Sequence, residues 1–269
     1  MIEEIMLPTY FISHGGGPWP YMKDQMPGVY DKLEASLQEI PRALVTPPKA
    51  ILAISGHWEE RDFTVMAGAH PPMIYDYSGF PEHTYHIKYA AAGSPQIAQQ
   101  VQTLLEQAGF KTGLDHKRGF DHGVFVPFAV AYPEANVPLL QLSVRADYDP
   151  AAHLAVGRAL APLRAEGVLI AGSGLSYHNI RGFGSHGAAA SKEFDDWLTD
   201  TICHFTGSER SAKLLQWAKA PSARQAHPRE DHLIPLMVAV GAAENDTAAL
   251  VYHENDFMGG TTVSSYRLG

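Results

Sequence analysis

The stretch Leu7-Pro8-Thr9-Tyr10-Phe11-Ile12-Ser13-His14-Gly15-Gly16-Gly17-Pro18 decides the fold. Its first seven residues form a largely apolar run, which a histidine and three glycines bring to an abrupt stop. A short apolar run bounded in this way reads as a strand buried on both faces, the kind that fills the middle of a parallel sheet. The order recurs. Lys49–Ser55 runs into Gly56-His57-Trp58, and Val168–Gly172 runs into Ser173-Gly174-Leu175-Ser176-Tyr177-His178-Asn179. Val137–Val144 is a fourth run of the same type. Helical patterns lie between them at Val29–Ile40, Ser94–Ala108, Pro150–Glu166 and Ser191–Phe205, the second opened by a serine cap and a proline in its first turn. Strands alternating with helices predict an α/β fold with a central mixed, largely parallel sheet flanked by helices. A last helix, Leu233–Ala243, precedes two weaker strand candidates, Ala248–His253 and Thr261–Tyr266, which would close the sheet edge. No repeat or long linker interrupts the chain, so residues 1–269 read as one domain.

The histidines sit where such a sheet offers a site. His14 and His57 fall at the carboxyl ends of two expected strands, and His178 follows a third. Open α/β sheets bind ligands at that edge, and the adjacent glycines let the backbone turn sharply there. A fourth segment, His227-Pro228-Arg229-Glu230-Asp231-His232, leads into the apolar helix and can reach the same rim. One histidine at a strand end is usually a hydrogen-bonded loop residue. Three in one context point to a metal site with His14 and His57 as ligands. Spacing leaves the third ligand open between His232 and its neighbouring carboxylates, Glu230 or Asp231, either of which would give a triad of two histidines and one carboxylate. The glycine run is not a phosphate loop, because neither GxxxxGK[ST] nor GxGxxG is present.

Composition narrows the function classes. A formal charge of -9 argues against nucleic acid and anionic membrane as partners. With one cysteine, Cys203, the chain can form neither an intrachain disulfide nor a thiolate zinc cluster, which points to a reducing, cytoplasmic compartment. Glu3 and Glu4 stand where a secretory leader would carry basic residues, and no apolar run is long enough to span a bilayer. Fourteen histidines remain to hold any metal. Cys203, beside Ile202 and without a basic cluster, reads as a small core residue. Ser173 lacks the G-x-S-x-G setting of a hydrolase nucleophile.

Six stretches in order carry a family resemblance: Phe11–Pro18, Ser55–Trp58, Tyr75–Pro81, Gly119-Phe120-Asp121-His122-Gly123, Ser176–Asn179 and His232-Leu233-Ile234-Pro235-Leu236. Together they resemble the class III extradiol ring-cleavage dioxygenases (the LigB superfamily), and within them the DOPA 4,5-dioxygenase-like branch. The resemblance implies a single α/β domain with one non-haem metal at the strand ends. That metal is usually Fe(II), with Zn(II) the alternative. It implies His14, His57 and His232 as metal ligands, His178 as the acid/base, and His122 as a second catalytic histidine touching substrate or oxygen. It also places the aromatic loop near the pocket, so that Tyr75, Phe80 and Tyr177 would meet the substrate. The implied partners are a small aromatic diol and O₂, and the product is a muconic semialdehyde-type compound. Self-association into a homo-oligomer is compatible with the sequence.

The chemistry explains the residue types. Three protein ligands on one face of Fe(II) leave three positions for two catechol oxygens and O₂. A histidine titrating near neutrality can accept protons from the diol and return them. Ligand histidines usually donate their second ring N–H to a carboxylate or carbonyl, a task open to Asp121, Glu230 or Asp231. Two competing readings use the same histidines: a zinc-dependent hydrolase, in which the metal activates water, and a non-catalytic binding relative.

Overall fold

The apolar runs become the middle of an eight-stranded sheet in the computed structural model, which describes residues 6–269. The strands are β1 (Thr9–Ser13), β2 (Ala50–Glu60), β3 (Phe63–Met66), β4 (Thr112–Asp115), β5 (Leu139–Arg145), β6 (Val168–Gly174), β7 (Ala248–Phe257) and β8 (Thr261–Leu268). The helices are α1 (Asp31–Arg42), α2 (Pro95–Gln107), α3 (His122–Ala131), α4 (Pro150–Leu160), α5 (Pro162–Ala165), α6 (Ala188–His204), α7 (Gly207–Leu214), α8 (Ala223–Ala226) and α9 (Ile234–Ala242). Strand order is β4-β3-β5-β2-β6-β1-β8-β7. The central strands β5, β2, β6 and β1 run parallel, β3 and β8 join them antiparallel, and β7 forms the outer edge. The expected α/β class and the closing tail are both present. The acidic start at Glu3 and Glu4 lies outside the described residues.

Strand β6 explains how both faces are covered. Side chains alternate across a strand, so Gly172 and Ser173 look to opposite sides. A Cβ on Gly172 would strike the Pro235 carbonyl of α9, whereas the Ser173 hydroxyl donates to the Gly123 carbonyl of α3. Helix α9 therefore lies on one face and α3 on the other. Both are apolar all round and almost wholly covered, as a helix must be when it is sandwiched between the sheet and its neighbours. That explains why α3 was not among the expected helices: His122-Gly-Val-Phe-Val-Pro-Phe-Ala-Val-Ala131 has no polar face to give a period. The short strands β3 and β4 were likewise not anticipated. The expected helix Pro150–Glu166 is two, α4 and α5, because Pro162 lacks an N–H to continue the first.

One strand departs from its expected end. The run Lys49–Ser55 does not stop at Gly56; β2 continues to Glu60, and its register against β5 shifts between Ile54 and Glu59. His57 thus sits within an irregular strand rather than after it. Such irregularities bend a strand and re-aim a side chain.

Candidate functional site

His14 continues β1 past its last residue. Its N–H reaches the Gly174 carbonyl at 3.2 Å, while the Trp19 indole donates to the His14 carbonyl at 2.9 Å. The chain then turns through Gly15 at φ +79°, a conformation that favours glycine. His232 arrives from the opposite direction, in the segment leading into α9. This segment crosses the ends of β2 and β6 closely: a Cβ on Gly56 would lie 2.7 Å from the Asp231 carbonyl, and one on Gly174 would strike the His232 carbonyl. The glycine after Ser55 therefore works by close approach, not by ending the strand.

These elements bring three imidazoles together. The Nε2 atoms of His14 and His57 stand 3.3 Å apart, and those of His57 and His232 3.1 Å apart. Each ring also has a polar neighbour at Nδ1, on the side away from the centre: the Ser173 hydroxyl at 3.1 Å for His14, Asp76 at 3.4 Å for His57, and Asp231 at 3.1 Å for His232. A proton held at Nδ1 leaves the Nε2 lone pair pointing inward. Nitrogen ligands about 2.0–2.1 Å from one ion stand about 3.0 Å apart at right angles and about 3.4 Å apart at the tetrahedral angle, so this set fits a single small metal ion. Burial, reinforced by the surrounding imidazoles, lowers the pKa of His14 well below its usual value and that of His57 to about 4. Burial depresses His232 strongly as well, against the pull of Asp231. All three are neutral, as metal ligation requires.

Two further histidines face the same cavity. His122, the first residue of α3, is gripped by Asp76, whose Oδ1 accepts both the His122 backbone N–H and its Nδ1 at 2.9 Å. Asp76 thereby also satisfies a free N–H at the start of the helix. Its burial would raise its pKa, but the hydrogen bonds and nearby charge of His122, with His57, hold it down at about 2. His178 stacks on the His232 ring, with its Nδ1 3.8 Å from Asp231. Burial likewise opposes ionisation of Asp231, and the imidazoles of His178 and His232 overcome it, keeping the carboxylate well below its usual range.

Asp76 carries little signal in the sequence beyond its place between Tyr75 and Tyr77. Among Asp121, Glu230 and Asp231, it is Asp231 that stands beside the His232 ring, at 3.1 Å from its Nδ1. Glu230 turns away to Arg224 at 2.7 Å. Asp121 is fully buried among Ser55, Arg118 and Gln141, and reaches His57 only through the Ser55 hydroxyl, which accepts the His57 backbone N–H.

The cavity beside the imidazoles has a volume of about 390 Å³. His14, His57, His122 and His178 meet it, and Tyr77 and Phe80 form part of its wall. Tyr75 and Tyr177 lie behind that wall, their hydroxyls donating to the carbonyls of Ile87 and Gly182. Cys203 is partly buried, and desolvation raises its pKa, as expected of an inert packing residue. His153 is buried and hydrogen-bonded, while His86 and His204 pair with surface carboxylates.

Comparison with known proteins supplies an independent line. Residues 8–269 match the family described as the catalytic LigB subunit of aromatic ring-opening dioxygenase. The chain is 42% identical over 259 residues to a 4,5-DOPA dioxygenase extradiol of Beta vulgaris, covering 94% of each protein. It is 37% identical over 263 residues to a dioxygenase of Hapsidospora irregularis, covering 90% of this chain and 79% of that one. The crystal structure of an uncharacterized protein from Escherichia coli K12 superposes with a TM-score of 0.79 at 27% identity, covering 98% of this chain and all of the other.

Proposed function

Because the chain belongs to the LigB family and is an aromatic ring-opening dioxygenase dependent on a non-haem metal, we propose that it opens a catechol-type ring beside the two hydroxyls. Both atoms of O₂ enter a muconic semialdehyde-type product. One Fe(II) is held by His14, His57 and His232, and Zn(II) is the competing occupant. Residues 1–269 act as one catalytic domain. The lone cysteine favours a cytoplasmic setting, and among the described residues no helix is long and apolar enough to cross a membrane.

The observation that carries the ligand assignment is the meeting of three neutral imidazoles, the Nε2 of His57 lying 3.3 Å from that of His14 and 3.1 Å from that of His232, each ring with a polar neighbour at its Nδ1. Glu230, engaged by Arg224, is not part of that set. When bound, the ion supplies a common meeting point for diol and O₂ and the redox chemistry that lets them react. The protein's groups then divide the remaining work. His178, stacked on His232 with its Nδ1 3.8 Å from Asp231, accepts a proton from the diol as it binds and returns one to the opening ring. His122, fixed through Nδ1 by Asp76, offers Nε2 to the substrate or to oxygen and sets its orientation. Phe80 lies against the ring, with Tyr75 and Tyr177 packed behind, and the apolar wall limits the water around it.

The test is anaerobic loading of metal-free protein with Fe(II) or Zn(II), followed by a small panel of catechols with O₂ uptake and absorbance recorded together. Oxygen consumption with a new long-wavelength chromophore, in the Fe(II) form alone, is the expected result. Tight metal binding with no uptake on any catechol would sink the catechol reading.

A further inference from the structure

The wall of the cavity says which ring substituent it accepts, given the ring-opening reading above. Apart from the histidines at its base, no charged side chain lines it among the described residues, and no serine, threonine, asparagine or glutamine does. The phenol of Tyr77 is already committed to the Thr84 carbonyl, and the hydroxyl of Tyr30, itself without a partner among the described residues, is buried. The rest of the lining is Met26, Phe80, Ile180, Phe183, Phe257 and Met258, with Leu175 and the glycine backbone after His14. The apolar character continues to the surface, where Ile180 is 73% and Met258 37% exposed. A carboxylate or ammonium group on the ring would lose its water against this wall and find no charged side chain there beyond the histidines at the base, at a cost only pairing could offset. An alkyl group would gain contact along the whole wall.

We propose that the substrate is a catechol bearing a short, uncharged, apolar substituent, rather than an amino acid or a carboxylic acid. The volume, near the lower end of the roughly 300–1,000 Å³ typical of small-molecule pockets, suits one ring with a short chain. Two methionines in the wall suit an alkyl group of irregular shape, because the thioether side chain adapts to its contacts. Two arginines, Arg181 and Arg229, line a neighbouring groove that shares only His178 and Ile180 with the cavity, and Arg229 is paired with Glu59 at 2.5 Å.

A matched pair of ligands tests this: 4-propylcatechol and 3-(3,4-dihydroxyphenyl)propanoate, equal in reach but ending in methyl or carboxylate. Binding is measured anaerobically on the Fe(II)-loaded protein, and turnover by O₂ uptake. The expected result is at least about tenfold tighter binding of the propyl compound, with kcat/KM following. Met258→Lys and Ile180→Arg, both at the exposed mouth, should narrow that ratio by improving the carboxylate. Equal or tighter binding of the carboxylate, with both compounds cleaved, would overturn the inference and leave the ring-opening reading standing. If metal is retained and neither compound is bound or cleaved, the catechol reading fails and this inference with it.

Discussion

Two carboxylates flank the three convergent imidazoles, and they divide their hold differently. Asp76 binds His122 at 2.9 Å and approaches His57 at 3.4 Å. Asp231 lies 3.1 Å from His232 and 3.8 Å from His178. Each therefore touches one proposed ligand and one proposed proton-handling residue, with the grip reversed. On the Asp231 side the ligand is held and the proton carrier is left loose. On the Asp76 side the proton-handling residue is clamped and the ligand is the looser partner. The contrast teaches that His122 and His178 are not held alike, which suits the proposed division between an orienting histidine and one that moves a proton.

The largest test removes what the two sides share. His14→Ala, His57→Ala and His232→Ala should each abolish stoichiometric metal and ring opening, whereas Glu230→Ala should retain both; metal analysis after dialysis decides. Retention of metal by His232→Ala together with its loss in Glu230→Ala would restore the carboxylate triad. Next comes the asymmetry itself. His178→Gln should keep metal and lose about 10²–10⁴ in kcat, the range of a missing acid/base group. His122→Gln should act more on KM and on product orientation, and identical profiles for the two variants would break the comparison.

The carboxylates follow. Asp231→Asn should weaken metal binding by about 10–100-fold, a usual cost of losing a partner to a ligand histidine. Asp76→Asn should cost mainly turnover, with a displaced pH profile. Acid gives an effect common to the whole molecule. Burial holds His57, His153 and His227 near a pKa of about 4, below the unfolded value of 6.5. Above pH 6.5 they are neutral in both states and cost nothing. As pH falls from there toward 4 the unfolded chain gains their protons first, and stability drops by about 2 kcal/mol per histidine between pH 7 and pH 5. Urea unfolding of metal-free protein at the two pH values measures it, and His153→Gln should lessen the slope. The smallest effect is Gly56→Ala, whose methyl would press on the Asp231 carbonyl. A few-fold loss of metal affinity with His122 unaffected is expected.

Much of this centre was legible in the sequence because its signals are local. An apolar run that stops at His14 and three glycines announces a strand end, and the segment before α9 carries His232 in plain view. What was not legible depends on partners distant in the chain. His57 owes its aim to a register shift against β5, which no pattern within β2 records. Asp76 comes from a turn-rich loop without a period, and its role appears only where that loop meets the start of α3. Helix α3 itself was hidden because a helix buried all round has no face to contrast. Glu230-Asp231-His232 leaves the third ligand open in the sequence, and only the fold shows that Arg224 occupies the glutamate.

The position of β1 has a consequence for how the chain reaches this state. Although nearly first in sequence, β1 pairs only with β6 and β8, whose residues begin at Val168 and Thr261. During synthesis the segment carrying His14 has no strand to join until more than half the chain has emerged, and one edge stays open until the end is reached. Contacts so distant in sequence form slowly, and an unpaired apolar edge invites association with other chains. A chain shortened before Thr261 would keep every histidine of the centre, yet it should aggregate in a cell rather than bind metal.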